Sequence, residues 1–547
     1  MTSAIPVNVH QAVARALFDN GVDVMFGLTG DANMYMVNSY VRDCGGLFVA
    51  AAHEAGAAMM ALGYASLSKK PGICSVTFGP GMTNTVTGIF EGVRGSVPLI
   101  IITGDTPVED RENAQRASPR ELATYTNAGF EQVRSAKTVA QDVARVMRRA
   151  LVERRPMVFS VPMELDWSAV DNYKSIIVRI PNNRAVVATS DDFDSAIGII
   201  AGSRRPVIIA GRGATSSEAK SAIEKLAVRI EAPLATTLKA KDLFAGNEFN
   251  LGTSGTVSTN IAVETLLESD CLISFGASLN KYTLSHGTFL RNKRIIQVNV
   301  EPEEVGKNIF PDAGIVGDPA GVAELMVHWL DEAEIPPSGY YSEELKQRIA
   351  GEVAAVSPLP ESGNGTVDFR RALLRLNQVL PQNRVVVTDG GRFLIEVWRH
   401  ITVEGPQAFL TTINFAAIGL GLPHAIGAAH AMPGRPVVLF IGDGGFVNGG
   451  LAEFNTAVRH HTNLIVIVCN DGAYGAEHHK FLAKDLEPDL VVFDWPDFAP
   501  VAIALGGEGV TVRSAADWER AERAIHAHTK PLLIDLKVDP TQVMWDR

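Results

Sequence analysis

Asp443 sits among glycines, in Gly442-Asp443-Gly444-Gly445, directly after an unbroken apolar run at residues 437–441. A separation of 25 residues lies between Gly444 and Asn470-Asp471-Gly472, which closes a second apolar run at residues 464–469. Two strand ends therefore each present carboxylate or amide oxygens at one end of a sheet. Oxygen ligands of this kind suit Mg²⁺ or Ca²⁺, and both ions accept phosphate oxygens as remaining ligands. Glycines let backbone N–H groups come close to a phosphate. The segment reads as a metal–diphosphate cradle. Gly-Asp-Gly alone also fits an ordinary βαβ loop, so the spacing is what singles it out. Far upstream, Glu54 in Ala52-His53-Glu54-Ala55-Gly56-Ala57 opens an apolar helical stretch, a position where the helix dipole favours a carboxylate.

These residues need strands to deliver them, and the chain alternates apolar runs with helix-periodic segments in three blocks. Such alternation predicts parallel sheets covered by helices. The expected fold is α/β, with three doubly wound parallel-sheet domains at residues 1–175, 188–335 and 366–547 and a linker at 336–365 that includes a short polar helix. Val9, Ala12, Val13, Ala16 and Leu17 predict an opening amphipathic helix. Strands are predicted at residues 73–77, 99–103, 206–210, 271–275, 295–300, 384–388, 436–441, 464–469 and 532–536. Between strand and Leu451 the reading is a loop, then a helix with Leu451, Phe454 and Val458 on one face. The first and third blocks are alike in size and pattern, as two related domains would be.

Bulk properties exclude several functions. The chain has 547 residues, 46% hydrophobic and 20% charged, with a net charge of -12. That charge argues against nucleic-acid binding. The four cysteines, Cys44, Cys74, Cys271 and Cys469, form no CxxC pair, which disfavours a zinc site or redox dithiol. No apolar run approaches the ~20 residues of a membrane span. The first ten residues lack the pattern of a signal peptide. A cytoplasmic location is expected.

The run from Ile426-Gly427 through Pro433 to Val438-Leu439-Phe440-Ile441-Gly442-Asp443-Gly444-Gly445, with Asn470-Asp471 beyond it, resembles the signature of thiamine diphosphate enzymes such as acetolactate synthase and pyruvate decarboxylase. The resemblance implies thiamine diphosphate held through Mg²⁺ or Ca²⁺, with Asp443 as one metal ligand. Matching through the helix and strand makes Asp471 the second, with the carbonyl of Ala473 as a third. Counting strictly from Gly-Asp-Gly gives Asn470 with the carbonyl of Gly472. The loop before Leu451 reads as one residue longer than usual, which favours Asp471. Gly391, Gly444, Gly445 and Tyr474 fall at cofactor-binding positions. Glu54 matches the glutamate that hydrogen-bonds the aminopyrimidine ring and relays the proton needed to activate the thiazolium carbon. Ile418, in Asn414-Phe415-Ala416-Ala417-Ile418-Gly419, matches the wedge that bends the cofactor, and the carbonyl of Ala416 would accept from the aminopyrimidine. The middle block resembles the central domain of these enzymes, but Gly276-Ala277-Ser278-Leu279-Asn280-Lys281 replaces the pattern of an FAD site, so FAD is not expected. Sites between chains, in a homodimer or homotetramer, are implied.

The reaction this implies is decarboxylation of a 2-oxo acid with carboligation, as in acetolactate synthase. Asp31, in Phe26-Gly27-Leu28-Thr29-Gly30-Asp31, and Glu477, in Tyr474-Gly475-Ala476-Glu477, resemble the active-site acids of pyruvate decarboxylase. Two acids support the alternative, simple decarboxylation to an aldehyde. Gln115 instead matches a glutamine of the carboligases. His478, with His479 and His53, is a candidate proton donor near neutral pH. Arg111, Arg116, Arg120 and Arg134 flank Gln115 and would draw an anionic substrate, including a CoA ester. An acyl-CoA lyase and a regulatory homologue without catalysis are the remaining alternatives.

Overall fold

The computed structural model describes residues 7–181, 190–354 and 365–542. Three six-stranded sheets form its framework. The first runs Leu47–Ala50, Val24–Gly27, Gly72–Ser75, Leu99–Asp105, Met157–Pro162, Gly129–Gln132. The third runs Phe409–Thr411, Val385–Thr388, Val437–Gly442, Leu464–Asn470, Leu532–Lys537, Glu508–Val512. The two orders are the same once strands are counted within each domain, as the likeness of the first and third blocks predicts. The central sheet runs Asn250–Thr253, Leu234–Thr236, Pro206–Ala210, Cys271–Phe275, Arg294–Asn299, Ala313–Val316. Its strands pair in parallel, as do those around the middle of the other two sheets. Strands buried on both faces read as continuous apolar runs, which is why Val437–Gly442 and Leu464–Asn470 were legible.

The chain divides into two compact units. Met1–Pro181, Leu359–Val397 and Leu410–Arg547 make the first, so the outer two domains share a unit; Asn182–Pro358 and Trp398–Phe409 make the second. Residues 398–409 thus leave the expected third domain. Arg399 donates to the carbonyls of Val257 and Ser258, and Asp242 accepts from the backbone of Val403 at 2.9 Å. The polar helix expected in the linker is Glu343–Ala354. Linker residues 355–364 lie outside the described residues. Among the described residues no helix is long and apolar enough to cross a membrane.

In the first unit, helix Glu54–Ser68 packs on helix Gly421–Ala431. Small residues set this approach: a Cβ on Gly63 would stand 2.1 Å from the carbonyl oxygen of His424, and one on Gly427 would stand 1.8 Å from that of Met60. The contact buries His424 and crowds His430, and burial lowers both imidazoles to about 4. An unfolded histidine takes up its proton near 6.5, so between about pH 6.5 and pH 4 the unfolded chain binds more protons at these sites. Their contribution to stability is present above that window and is lost as pH falls through it. Asp389, raised by burial to about 6, acts in the opposite sense. Histidine-labelled NMR should show both rings neutral down to about pH 5; titration near 6.5 would contradict the packing described here.

Candidate active site

Strand Val385–Thr388 pairs with Val437–Gly442, although the chain visits Phe409–Thr411 between them. The strand order reverses here, and the crevice outside such a reversal is where α/β sheets take ligands. Asp389-Gly390-Gly391 leaves one strand and Asp443 leaves the other. Sequence reasoning placed a loop after Gly442, but the helix begins at once: Asp443–Gly445 is its first turn, Phe446–Gly450 is one π-helical turn, and Leu451–Arg459 continues it. The surplus residue read as a longer loop is absorbed as the wide turn, since a π turn is an α-helix carrying one extra residue. Gly444 and Gly445 are glycines for close packing: added Cβ atoms would stand 2.5 Å from the Tyr474 ring and 2.5 Å from Asp389 Oδ2.

Asp443 is 1% exposed, and its Oδ2 has no hydrogen-bond partner among the described residues. Burial, and next the charge of Asp471, holds its carboxyl well above the usual carboxylate range. Asp471 Oδ2 accepts from Arg392 Nε, and Arg392 continues to the carbonyls of Gln542 and Asp539, both at 2.7 Å. A Cβ on Gly475 would lie 2.3 Å from Asp471 Oδ2, so glycine is needed for this pair to reach the helix start. Asn470 is buried in its strand, with Nδ2 on Asp535 at 2.8 Å and Oδ1 accepting from Gly472 N. The Gly472 carbonyl accepts from Phe493 N at 2.7 Å. Two close buried carboxylates with an unsatisfied oxygen form a donor set for one divalent cation. No cluster of three or more His, Cys, Asp or Glu is gathered for a metal among the described residues, so phosphate or water oxygens would complete the shell.

A second loop closes on this end. Asp389 accepts from Gly419 N at 2.7 Å, from Leu420 N and from Thr412 Oγ1, fixing residues 412–420. A Cβ on Gly390 would be 3.3 Å from Ile418 Cγ2, and one on Gly391 would be 2.4 Å from the Phe393 ring. Ala416 has φ +62°, a left-handed conformation that costs an L-residue roughly 1 kcal/mol. Such strain collects where a fold aims a backbone group.

Of the other candidates, Glu54, Asp31, Gln115 and His53 lie in the first domain, and Glu477, His478 and His479 lie on helix Gly475–Ala483 of the third. Glu54 opens helix Glu54–Ser68, is buried, and accepts from Asn84 Nδ2 at 3.0 Å. Thr77 lies between the Asp31 loop and Glu54: an added Cβ on Gly30 would stand 2.8 Å from Thr77, and one on Gly81 would stand 2.9 Å from Thr77 and 3.5 Å from Glu54 Oε1. Asp31 is exposed, and buried Asn33 staples its loop to Ser75. Gln115 is exposed, with its backbone against Gly79. Glu477 is half exposed and paired with Lys480. His478 is buried with Nδ1 unpartnered among the described residues, His479 meets Arg392, and His53 caps its helix by accepting from Ala55 N. Sequence reasoning missed Asn84, Arg392, Glu91 and Glu453. Only Arg392 carried a signal, an arginine directly after a glycine pair at a strand end.

Comparison with known proteins agrees with this layout. Residues 7–128, 193–326 and 389–536 match, in order, the N-terminal TPP binding domain, the central domain and the C-terminal TPP binding domain of the thiamine pyrophosphate enzymes. A probable acetolactate synthase large subunit of Methanococcus aeolicus is 26% identical over 98% of this chain and 93% of its own length. A probable 2-ketoarginine decarboxylase of Pseudomonas aeruginosa is 28% identical over 94% of this chain and 91% of its own. A sulfoacetaldehyde acetyltransferase of Alcaligenes xylosoxydans xylosoxydans is 26% identical over 93% and 88%. With three successive domains matched on three matching sheets, the chain belongs to the thiamine pyrophosphate enzymes and is acetolactate synthase-like.

Proposed function

We propose that this protein binds thiamine diphosphate through one Mg²⁺ or Ca²⁺ ion, decarboxylates a 2-oxo acid, and joins the remaining fragment to a second carbonyl. The observation that carries the reading is the buried Asp443–Asp471 pair, whose free Oδ2 calls for a cation. Asp443, Asp471 and the carbonyl of Ala473 would hold it. Asn470 is held on Asp535, whereas Asp471, although it accepts from Arg392 and from Ala473 N, is the carboxylate whose charge acts on Asp443, which supports this choice. The N–H groups of Gly444 and Gly445 in the first helical turn, with the Gly391 loop and Tyr474, would face the diphosphate. Bound there, thiamine diphosphate supplies a carbon acid whose anion adds to the 2-oxo group and takes up the electrons left when CO₂ departs. Glu54 hydrogen-bonds the aminopyrimidine and holds the proton it exchanges. The Ala416 carbonyl would accept from the same ring, and Ile418 would pack against the cofactor. By the family resemblance, two chains complete each site, in a homodimer or homotetramer. The central domain departs at residues 276–281 from the FAD pattern of acetolactate synthase, and this reading assigns FAD no role.

One observation favours a second reading, release of an aldehyde: His478 is buried, its Nδ1 lacks a partner among the described residues, and it follows Glu477 on the helix after Asp471. The pair would supply the proton that ends the reaction. Incubation of the holoenzyme with pyruvate separates the two. Acetolactate or acetoin is the expected product; acetaldehyde alone replaces the first reading with the second, and absence of both with no CO₂ release removes pyruvate-type chemistry.

A further inference from the structure

Glu453 is 1% exposed, on helix Leu451–Arg459, yet its carboxylate is committed to backbone 400 residues away. Oε2 accepts from Ala52 N at 3.1 Å and Oε1 from His53 N at 3.0 Å. These are the two residues immediately before Glu54. Arg459 of the same helix donates to the carbonyl of Ala50 at 2.9 Å, so one helix holds residues 50–53 by three bonds. A Cβ on Gly56 would stand 2.1 Å from Glu453 Oε1, so the carboxylate reaches over the helix start because residue 56 lacks a side chain. Burying a carboxylate is unfavourable unless it is hydrogen-bonded, and an apolar residue would fill this space at less cost.

The reverse arrangement is also present. Glu91, 2% exposed, accepts from Asn414 N at 3.1 Å and Nδ2 at 2.7 Å through Oε1, and from Phe415 N at 2.6 Å through Oε2. Ala416 follows directly. Phe415 is also stacked on Phe90 at 4.8 Å. Each outer domain thus uses a buried helix carboxylate to fix two consecutive residues just ahead of the other domain's candidate aminopyrimidine contact.

We infer that Glu453 is a positioning residue for Glu54, setting where the Glu54 carboxyl meets the aminopyrimidine, and that Glu91 does the same for the Ala416 carbonyl. This rests on the reading of Glu54 given under Proposed function. Displacement of a reacting group by about 1 Å can slow a step up to about 100-fold.

The test compares Glu453→Gln, Glu453→Asp and Gly56→Ala with wild type. Gln keeps the volume but turns an N–H₂ towards one of the two donors; Asp keeps the charge and retracts it; Ala at residue 56 displaces the carboxylate without altering it. In the apoprotein, hydrogen exchange of the peptide carrying Ala52 and His53 should quicken in all three. In the holoenzyme, affinity for Mg²⁺–thiamine diphosphate should be kept, while exchange of the cofactor's C2 proton slows about ten-fold and the near-ultraviolet circular dichroism of the bound aminopyrimidine changes. Glu453→Asp should recover part of the rate. Wild-type C2 exchange in any folded pair of these variants overturns the inference, as does a loss that merely follows melting temperature or cofactor affinity. Glu54→Gln is the control: slow exchange there with fast exchange in the Glu453 variants sinks this inference alone, whereas fast exchange in Glu54→Gln sinks the reading of Glu54.

Discussion

Asp443→Asn is expected to lose metal-dependent binding of thiamine diphosphate, by about 100-fold or more, while its apoprotein becomes more stable. In the apoprotein the Asp443 carboxylate is buried beside Asp471 with one oxygen unsatisfied, an arrangement unfavourable in the absence of a cation. Asparagine is neutral and needs neither burial of a charge beside Asp471 nor uptake of a proton on folding, so the cation-free protein gains stability. A bound cation reverses the balance in wild type, because a ligand at 100 times its Kd stabilises the folded state by about 2.7 kcal/mol. Calorimetric titration with Mg²⁺ and thiamine diphosphate should show the lost affinity, and thermal scans should show the two effects moving in opposite directions. Wild-type affinity in Asp443→Asn would remove the cation site from the account.

The second large effect belongs to Glu54→Gln. The fold and cation binding should survive. The amide oxygen of the substituted side chain can still accept from Asn84, and loss of a carboxylate at a helix start costs only about 0.3–1 kcal/mol. A carboxamide cannot exchange a proton with the aminopyrimidine. C2 proton exchange, followed by rapid quench in deuterated buffer, should therefore slow by about 10² to 10⁴, the range of a lost general acid–base group. An unchanged rate would assign the activating role elsewhere.

How much of this was legible depended on how local the signal was. Buried central strands declare themselves as apolar runs, so Pro206–Ala210 and Cys271–Phe275 fall on the residues predicted. Gly129–Gln132 and Leu47–Ala50 were not found: each is four residues long, at a sheet edge and partly exposed, with too little periodicity to read. The first turns after Gly442 read as loop because glycine disfavours helix; the helix forms there because Gly444 and Gly445 let Tyr474 and Asp389 pack against it. Asp443 and Asp471 were visible through spacing along the chain. Glu453 and Glu91 had no such signature. A glutamate in an amphipathic helix reads as a solvated face, and only a partner hundreds of residues away makes it otherwise.

The π-helical turn at Phe446–Gly450 acts as slack in the helix. A π turn spreads its rotation over one more residue than an α turn, so the additional residue is taken up locally and the residues beyond keep their azimuth relative to Asp443. Taking it up there leaves Glu453 on Ala52 and His53 and Phe454 inside. Removing one residue from the stretch would let it close as ordinary α-helix, with the carboxylate at position 443 and its downstream companion both kept near their present directions. The stretch therefore tolerates the loss of one residue better than the replacement of Gly449, where an added Cβ would stand 2.3 Å from the carbonyl oxygen of Gly419.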